Sequence, residues 1–271
     1  METTDPESLR LLEGSLRTTM AAASGAKLDA ALTELGWLEM LGEMPGLAVP
    51  LVFRLLGETG VHAPVLNDVV ARETGAALGG AMPLPFAGGS WVIWERGDGT
   101  GAAIDESLPI RRVPQGDPLP ASALAAGRRA LGWWLVGTGR GMLSLARRHA
   151  LDRVQFGRHI SSFQAIRHRL AETLVAIEGA EATLHTAEQV GAHDGLASLL
   201  AKAAAGQAAL TAARHCQQVL GGIGFTAEHP LHHHVKRSLI LDGLLGSARE
   251  LTREAGKALV DKRSAPRLAQ L

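Results

Sequence analysis

From residue 119 to residue 262 the chain is a series of alanine- and leucine-rich runs with few breakers, which restricts this half to long packed helices. One helix is expected over 120–151, a second over 163–191, a third over 196–220, and one or two more between 231 and 260. Gly127, Gly132, Gly137, Gly139 and Gly141 all fall inside the first of them. Each such glycine weakens a helix by about 1 kcal/mol relative to alanine. The helix therefore needs tertiary support, and its small residues would let another helix or a ligand approach closely.

Residues 8–75 also read as helices, with weak turns between them. Leu28, Ala31, Leu32, Leu35 and Leu38 recur at helical spacing, and Gly36-Trp37 closes that run. Met44-Pro45-Gly46 marks a turn, after which an apolar face resumes from Leu47 to Leu56, before Gly57. Between 76 and 118 the pattern changes to short runs punctuated by Gly79-Gly80, Pro83, Pro85, Gly88-Gly89 and Gly97. Trp91 to Trp94 and Ile110 to Val113 read as strands, with Asp98-Gly99 as a hairpin turn. The expected fold is mainly α. It has an N-terminal helical domain at 8–75, a truncated β segment at 76–118, a helical bundle at 119–262 and a frayed tail at 263–271.

Lys and Arg total 27, as do Asp and Glu, so the formal net charge is zero. That balance gives no support to binding of nucleic acid or an anionic membrane, and it favours association into an oligomer. The one cysteine, Cys216, leaves no internal disulfide and sits in an apolar helical pattern, as a core residue does. No basic segment followed by an apolar run stands at the N-terminus, and no uncharged apolar run reaches about 18 residues; the expectation is a cytoplasmic chain without a membrane span. His229, His232, His233 and His234 crowd one stretch. A zinc site would want ligands at helical offsets joined by a carboxylate or thiolate, so surface or interface histidines are expected, and no metal.

Two stretches carry chemistry. In Arg153-Val154-Gln155-Phe156-Gly157-Arg158, running on to Phe163-Gln164, a guanidinium stands three residues before an aromatic ring. Arg153 can clamp a diphosphate through two parallel charge-assisted hydrogen bonds, Phe156 offers a flat apolar face, and Gly157 lets the backbone turn tightly. The second stretch, Gln218-Val219-Leu220-Gly221-Gly222-Ile223-Gly224-Phe225 with Glu228-His229-Pro230, follows a long helix. A left-handed C-cap accounts for one glycine; two in a row, with Gln218 ahead of them, permit a dinucleotide to approach the backbone. Gly222-Ile223-Gly224 is not a Rossmann fingerprint, because it follows a helix, and no Walker-type lysine is present.

At this spacing the two stretches resemble the C-terminal domain of the acyl-CoA dehydrogenase family. Thr33-Glu34-Leu35-Gly36-Trp37-Leu38 is similar to a helix-end motif of that family's N-terminal domain, so the resemblance covers 28–262 and is strongest over 147–246. It implies that the bundle is the four-helix bundle of that family. It also implies that Arg153, Phe156, Gln164, Gln218, Gly221 and Gly222 contact FAD shared across a subunit interface. The reaction implied is α,β-desaturation of an acyl-CoA thioester, with an electron-transfer flavoprotein taking the electrons.

The same resemblance exposes a loss. Desaturation needs a carboxylate within reach of the α-proton. Counting from Gly224, the family's commoner base position falls on Leu245; counting back from Arg153, its alternative position falls on Gly127. Neither takes a proton. Asp242, about one helical turn from Leu245, is the remaining candidate base, while Glu228 and Glu250 read as surface or capping carboxylates. The 76–118 segment lacks the family's flavin-gripping loop and offers Trp91 and Trp94 among its aromatics. These losses and retentions together imply a non-catalytic subunit, inactive alone, that completes the FAD site of a catalytic acyl-CoA dehydrogenase-type partner. Two other readings stay open: a structural or binding bundle that has lost flavin, and a self-sufficient flavoenzyme with a relocated base.

Overall fold

The computed structural model describes residues 5–97, 103–105, 108–191 and 195–263. Five helices open the chain: α1 (Pro6–Ala22), α2 (Ala26–Glu34), α3 (Trp37–Glu43), α4 (Pro45–Thr59) and α5 (Leu66–Thr74). An antiparallel sheet of β1 (Pro83–Phe86), β2 (Ser90–Trp94), β3 (Ala103–Asp105) and β4 (Leu108–Val113) follows, in the order β1-β2-β4-β3. The second half holds α6 (Ala121–Asp152), a hairpin of β5 (Val154–Gln155) and β6 (Arg158–His159), then α7 (Gln164–Val190), α8 (Gly195–Leu220), α9 (Leu231–Gly243) and α10 (Ala248–Lys262). The fold is mainly α, as expected, and the bundle helices lie close to their expected bounds.

Three local expectations are corrected. The run through Leu38 is two helices, because Gly36 adopts φ +85 and a new helix starts at Trp37. Gly57 does not end the next helix: α4 starts with Pro45 in its first turn, passes through Pro50 and Gly57, and stops at left-handed Gly60. Strand β1 has no counterpart in the sequence pattern, since Pro83 and Pro85 read as punctuation; β1 is an edge strand, where proline is tolerated. The expected Asp98-Gly99 turn and residues 264–271 lie outside the described residues.

Helix α6 is the axis of the molecule and packs against α4, α5, α7, α8 and α9. Its glycines mark where neighbours come nearest. A Cβ at Gly137 would strike the Arg54 carbonyl, and one at Gly57 would strike the Trp134 carbonyl and the Thr138 amide, so α4 and α6 cross backbone on backbone. Leu184 and Ile177 of α7 press on Gly132 and Gly139. The glycine-rich run thus serves packing within the chain, trading helix propensity for close approach.

Around that crossing Trp134 stacks on Trp94 with ring centroids 5.4 Å apart and meets Phe53 edge-on at 5.5 Å. Trp94 is fully buried and is a core residue rather than a surface for a ligand. One apolar core runs without a break from Leu16 in α1, through Val92 in the sheet, to Leu245 beyond α9. Each fully buried leucine or phenylalanine in it is worth roughly 1.5–3 kcal/mol. Helix α8 with the turn after it, Gly195–Phe225, is long and apolar enough by composition to cross a membrane, yet 61% of its most apolar window is buried in the bundle.

Candidate functional site

Because α7 returns antiparallel between them, α6 and α8 point the same way, and the two sequence motifs that follow them lie at one end of the bundle. A small apolar cluster there, including Ala150, Cys216, Leu220 and Leu231 with Ile160 against it, holds both segments. Burial pushes the Cys216 thiol up to about 12, which leaves it protonated.

Between them β5 and β6 pair Gln155 with Arg158 across a two-residue turn of Phe156, φ +54, and Gly157, φ +75. Positive φ at both positions is the pattern of a type I′ hairpin. Gly157 adopts it freely, whereas Phe156 does so at about 1–2 kcal/mol. Phe156 stands out in solvent at 91% exposure. Its ring meets Phe163 edge-on at 6.2 Å, and the Arg158 guanidinium lies 4.2 Å from the Phe163 centroid, a cation–π contact. Arg153 is exposed where α6 ends, and its carbonyl accepts a 2.9 Å hydrogen bond from Ile160 N–H that closes the hairpin base.

Gln164, exposed, opens α7; Gln218, exposed, lies in the last turn of α8. Gly221, at φ +66, ends that helix as expected of a left-handed cap. No atom lies within 4 Å of where a Cβ would stand at Gly221 or Gly222, so the backbone there is open to approach. A guanidinium, an exposed aromatic ring, amide side chains and bare backbone together fit a dinucleotide.

At the α9–α10 turn the chain is closed. A Cβ at Gly127 would lie 2.5 Å from Leu245 Cδ1 and 3.2 Å from Val70 Cγ2, so Leu245 and α5 fill the space in front of Gly127. Leu245 is 1% exposed and, at φ +55, left-handed. Its N–H donates to the Pro85 carbonyl at 2.8 Å and its carbonyl accepts from Arg128 Nε at 3.1 Å. Phe86 of β1 covers Gly243 on the same turn. Asp242 accepts from Ala248 N–H at 3.0 Å through Oδ1, at the start of α10. Glu250 forms a capping box with Ser247 and accepts from Gly88 N–H at 2.8 Å; these backbone bonds hold its carboxyl below the usual range. Glu228 is exposed.

Two buried groups here escape sequence reasoning. Lys202 is fully buried on α8, and its Nζ donates to the Asp242 carbonyl at 2.7 Å and the Gly246 carbonyl at 2.5 Å, bracketing the turn. Burial pulls its ammonium down to about 7. The signal was a lone lysine in an alanine run. His234, expected at a surface or interface with its neighbouring histidines, is instead buried against Gly60 and Gly141, and burial pulls its imidazole down to about 4. His229 accepts from Leu231 N–H at 3.1 Å through Nδ1. Among the described residues no group of three His, Cys, Asp or Glu side chains could hold a metal ion.

The profile described as "Acyl-CoA dehydrogenase, C-terminal domain" matches residues 115–259. The chain is 32% identical over 206 residues to the acyl-CoA dehydrogenase FadE34 of Mycobacterium tuberculosis, covering 67% of this chain and 28% of that protein. It is 40% identical over 118 residues to the acyl-CoA dehydrogenase IpdE2 of the same organism, covering 44% of this chain and 36% of the relative. The chain therefore spans only about a third of these relatives' own lengths. Among solved structures, a chain of the ChsE4-ChsE5 complex from Mycobacterium tuberculosis superimposes with TM-score 0.70 at 20% identity, over 98% of this chain and 100% of that one. A chain of a Tcur3481-Tcur3483 steroid ACAD variant gives TM-score 0.72 at 21% identity, over 96% of this chain and 99% of that one. At these identities the likeness is one of fold.

Proposed function

The chain belongs to the acyl-CoA dehydrogenase family, and from that premise we propose that it is a non-catalytic subunit completing the FAD site of a catalytic partner chain. The observation that carries the reading is Leu245 filling the space before Gly127, which leaves no carboxylate at either family base position. The opposite resource is kept: Phe156 and Arg153 stand exposed at the same end of the bundle as the open Gly221-Gly222 backbone.

In this reading Arg153 binds the dinucleotide's diphosphate, Phe156 covers a ring face, and Gln164 and Gln218 donate or accept at its polar edge. Gly221 and Gly222 admit it to the backbone. FAD bound there supplies the hydride acceptor for desaturation of an acyl-CoA thioester. The α-proton is taken by a carboxylate of the partner; Asp242, the remaining candidate in this chain, accepts from Ala248 N–H at the start of α10. An electron-transfer flavoprotein is the proposed electron acceptor of the complex. That one structural neighbour is titled as the ChsE4-ChsE5 complex supports the two-chain arrangement by analogy.

The test is to purify the chain alone and co-expressed with acyl-CoA dehydrogenase-type chains of its host. A colourless lone chain that becomes yellow and active in a complex is the expected result. A lone chain that binds flavin and turns over would overturn it in favour of a relocated base; a complex that never holds flavin would leave a structural bundle.

A further inference from the structure

The chain is neutral, but its charge is not evenly spread. Between Arg147 and Leu174 stand six arginines, Arg147, Arg148, Arg153, Arg158, Arg167 and Arg169, against two acidic residues, Asp152 and Glu172. All six are exposed, and among the described residues none of them forms an ion pair. Elsewhere Arg17, Arg54, Arg72, Arg96, Arg111, Arg128 and Arg140 are each paired with a carboxylate, whereas Arg10, Arg214, Arg249 and Arg253, scattered along the chain, form no ion pair with a described residue either. Arg153 serves the dinucleotide in the reading above. The diphosphate does not account for the other five.

Two of these cations, Arg147 and Arg167, line an apolar groove of about 420 Å³ between α6 and α7. Its floor includes Leu143, Ala150, Ile166 and Leu170, with Arg147 and Arg167 on its walls. Arg167 is held there by a 2.9 Å bond from its Nε to the Ser161 carbonyl. Leu151 and Leu174 line the groove at 46% and 43% exposure, and Val154 continues the apolar surface to the hairpin at 49%. An open trough with an apolar floor and unneutralised guanidinium walls matches a segment carrying both apolar and acidic side chains. Unpaired like charges crowded on one face repel one another, and an acidic partner removes that repulsion.

We infer that this groove and its arginines are the docking surface for an acidic, apolar-anchored segment of the partner subunit. The inference rests on the two-chain reading, and the groove is continuous with the hairpin that reaches the partner's cofactor. Side chains of the partner segment fill the space over Leu170 and Ile166, and its carboxylates face Arg147 and Arg167.

Leu174→p-benzoylphenylalanine and, separately, Leu151→p-benzoylphenylalanine are irradiated in the purified complex, and the cross-linked peptides are sequenced by mass spectrometry. A partner peptide in which Asp and Glu outnumber Lys and Arg is expected from both positions. A neutral or basic partner peptide, a second copy of this chain, or no cross-link overturns the inference. In parallel, Arg147→Glu with Arg167→Glu is expected to weaken association at least tenfold by sedimentation, and Arg147→Gln with Arg167→Gln to weaken it less. The lone chain's melting temperature should be unchanged by the Gln pair. An intact complex indifferent to both pairs sinks the docking surface alone, whereas no complex with any family chain sinks the two-chain reading as well.

Discussion

Leu245 Cδ1 lies 2.5 Å from the point a Cβ on Gly127 would occupy, so the side chain at one proposed base position fills the space at the other. The two positions are 118 residues apart in sequence and touch in space. Their coupling can be measured. Gly127→Ala forces an overpacked contact worth roughly 1–3 kcal/mol, against a helix-propensity gain of about 1 kcal/mol. Leu245→Ala alone costs about 2–5 kcal/mol and opens the space. In that background Gly127→Ala should become stabilising, giving a coupling of roughly 1–3 kcal/mol in denaturant unfolding. Strict additivity would show that the two do not share that space.

The lone chain should not reduce an artificial electron acceptor with any acyl-CoA, since neither Leu245 nor Gly127 offers a carboxylate. Turnover by the purified chain, abolished in Asp242→Ala, would identify a relocated base instead.

Arg153→Lys in the complex keeps the charge and loses the bidentate fork. A hydrogen bond to a charged group is worth about 1.5–3 kcal/mol, so flavin retention should fall by roughly one to two powers of ten. Assembly should persist, because Arg153 is an exposed residue outside the packed helices. Flavin dissociation constants measured by fluorescence decide; unchanged binding in both Arg153→Lys and Arg153→Ala would falsify the contact.

Stability should respond to pH at two buried groups. His234 titrates near 4 when folded, below its ordinary 6.5, because burial disfavours the charged form. The unfolded chain therefore takes up its proton first, and stability present above pH 6.5 is lost as pH falls towards 4, by on the order of 3 kcal/mol. Lys202 titrates near 7 against an ordinary 10.5, so its contribution is smallest below pH 7 and grows as pH rises towards 10.5. Cys216, raised to about 12, acts in the opposite sense above pH 9, which leaves pH 7–9 as the window for the lysine. Unfolding free energies across pH 4–9 should rise through both windows. Lys202→Met should flatten the upper slope and His234→Phe the lower one; slopes unchanged in these variants would mean that other groups set them.

The bundle was legible because runs such as Leu199 to Ala213 leave few alternatives to helix; a glycine cap after α8 was legible too, though not which of Gly221 and Gly222 would take it, and the structure gives it to Gly221. The proposed dinucleotide end rests on Arg153, Phe156 and Gln218, whose chemistry is carried by residue type; the structure adds that all three are exposed. What the sequence could not carry was contact between distant residues. Counting placed Leu245 and Gly127 at equivalent roles without indicating that they meet. The left-handed Phe156 was hidden because aromatic residues rarely adopt positive φ. Lys202 was hidden because its partners are backbone carbonyls of a turn some 40 residues away, Asp242 and Gly246. Strand β1 was masked by prolines that only an edge position tolerates.

The backbone crossing at Gly57 and Gly137 also sets a timetable for the chain as it is made. The apolar side of α4, with Val52, Phe53, Leu55 and Leu56, finds its cover on α6, some 80 residues further along. At about 5–20 residues per second of synthesis, that side waits roughly 4–16 s for its counterpart to be built. Throughout that interval the nascent chain presents a greasy helix to its surroundings, so its yield in a cell should depend on chaperone supply more steeply than the stability of the finished protein suggests.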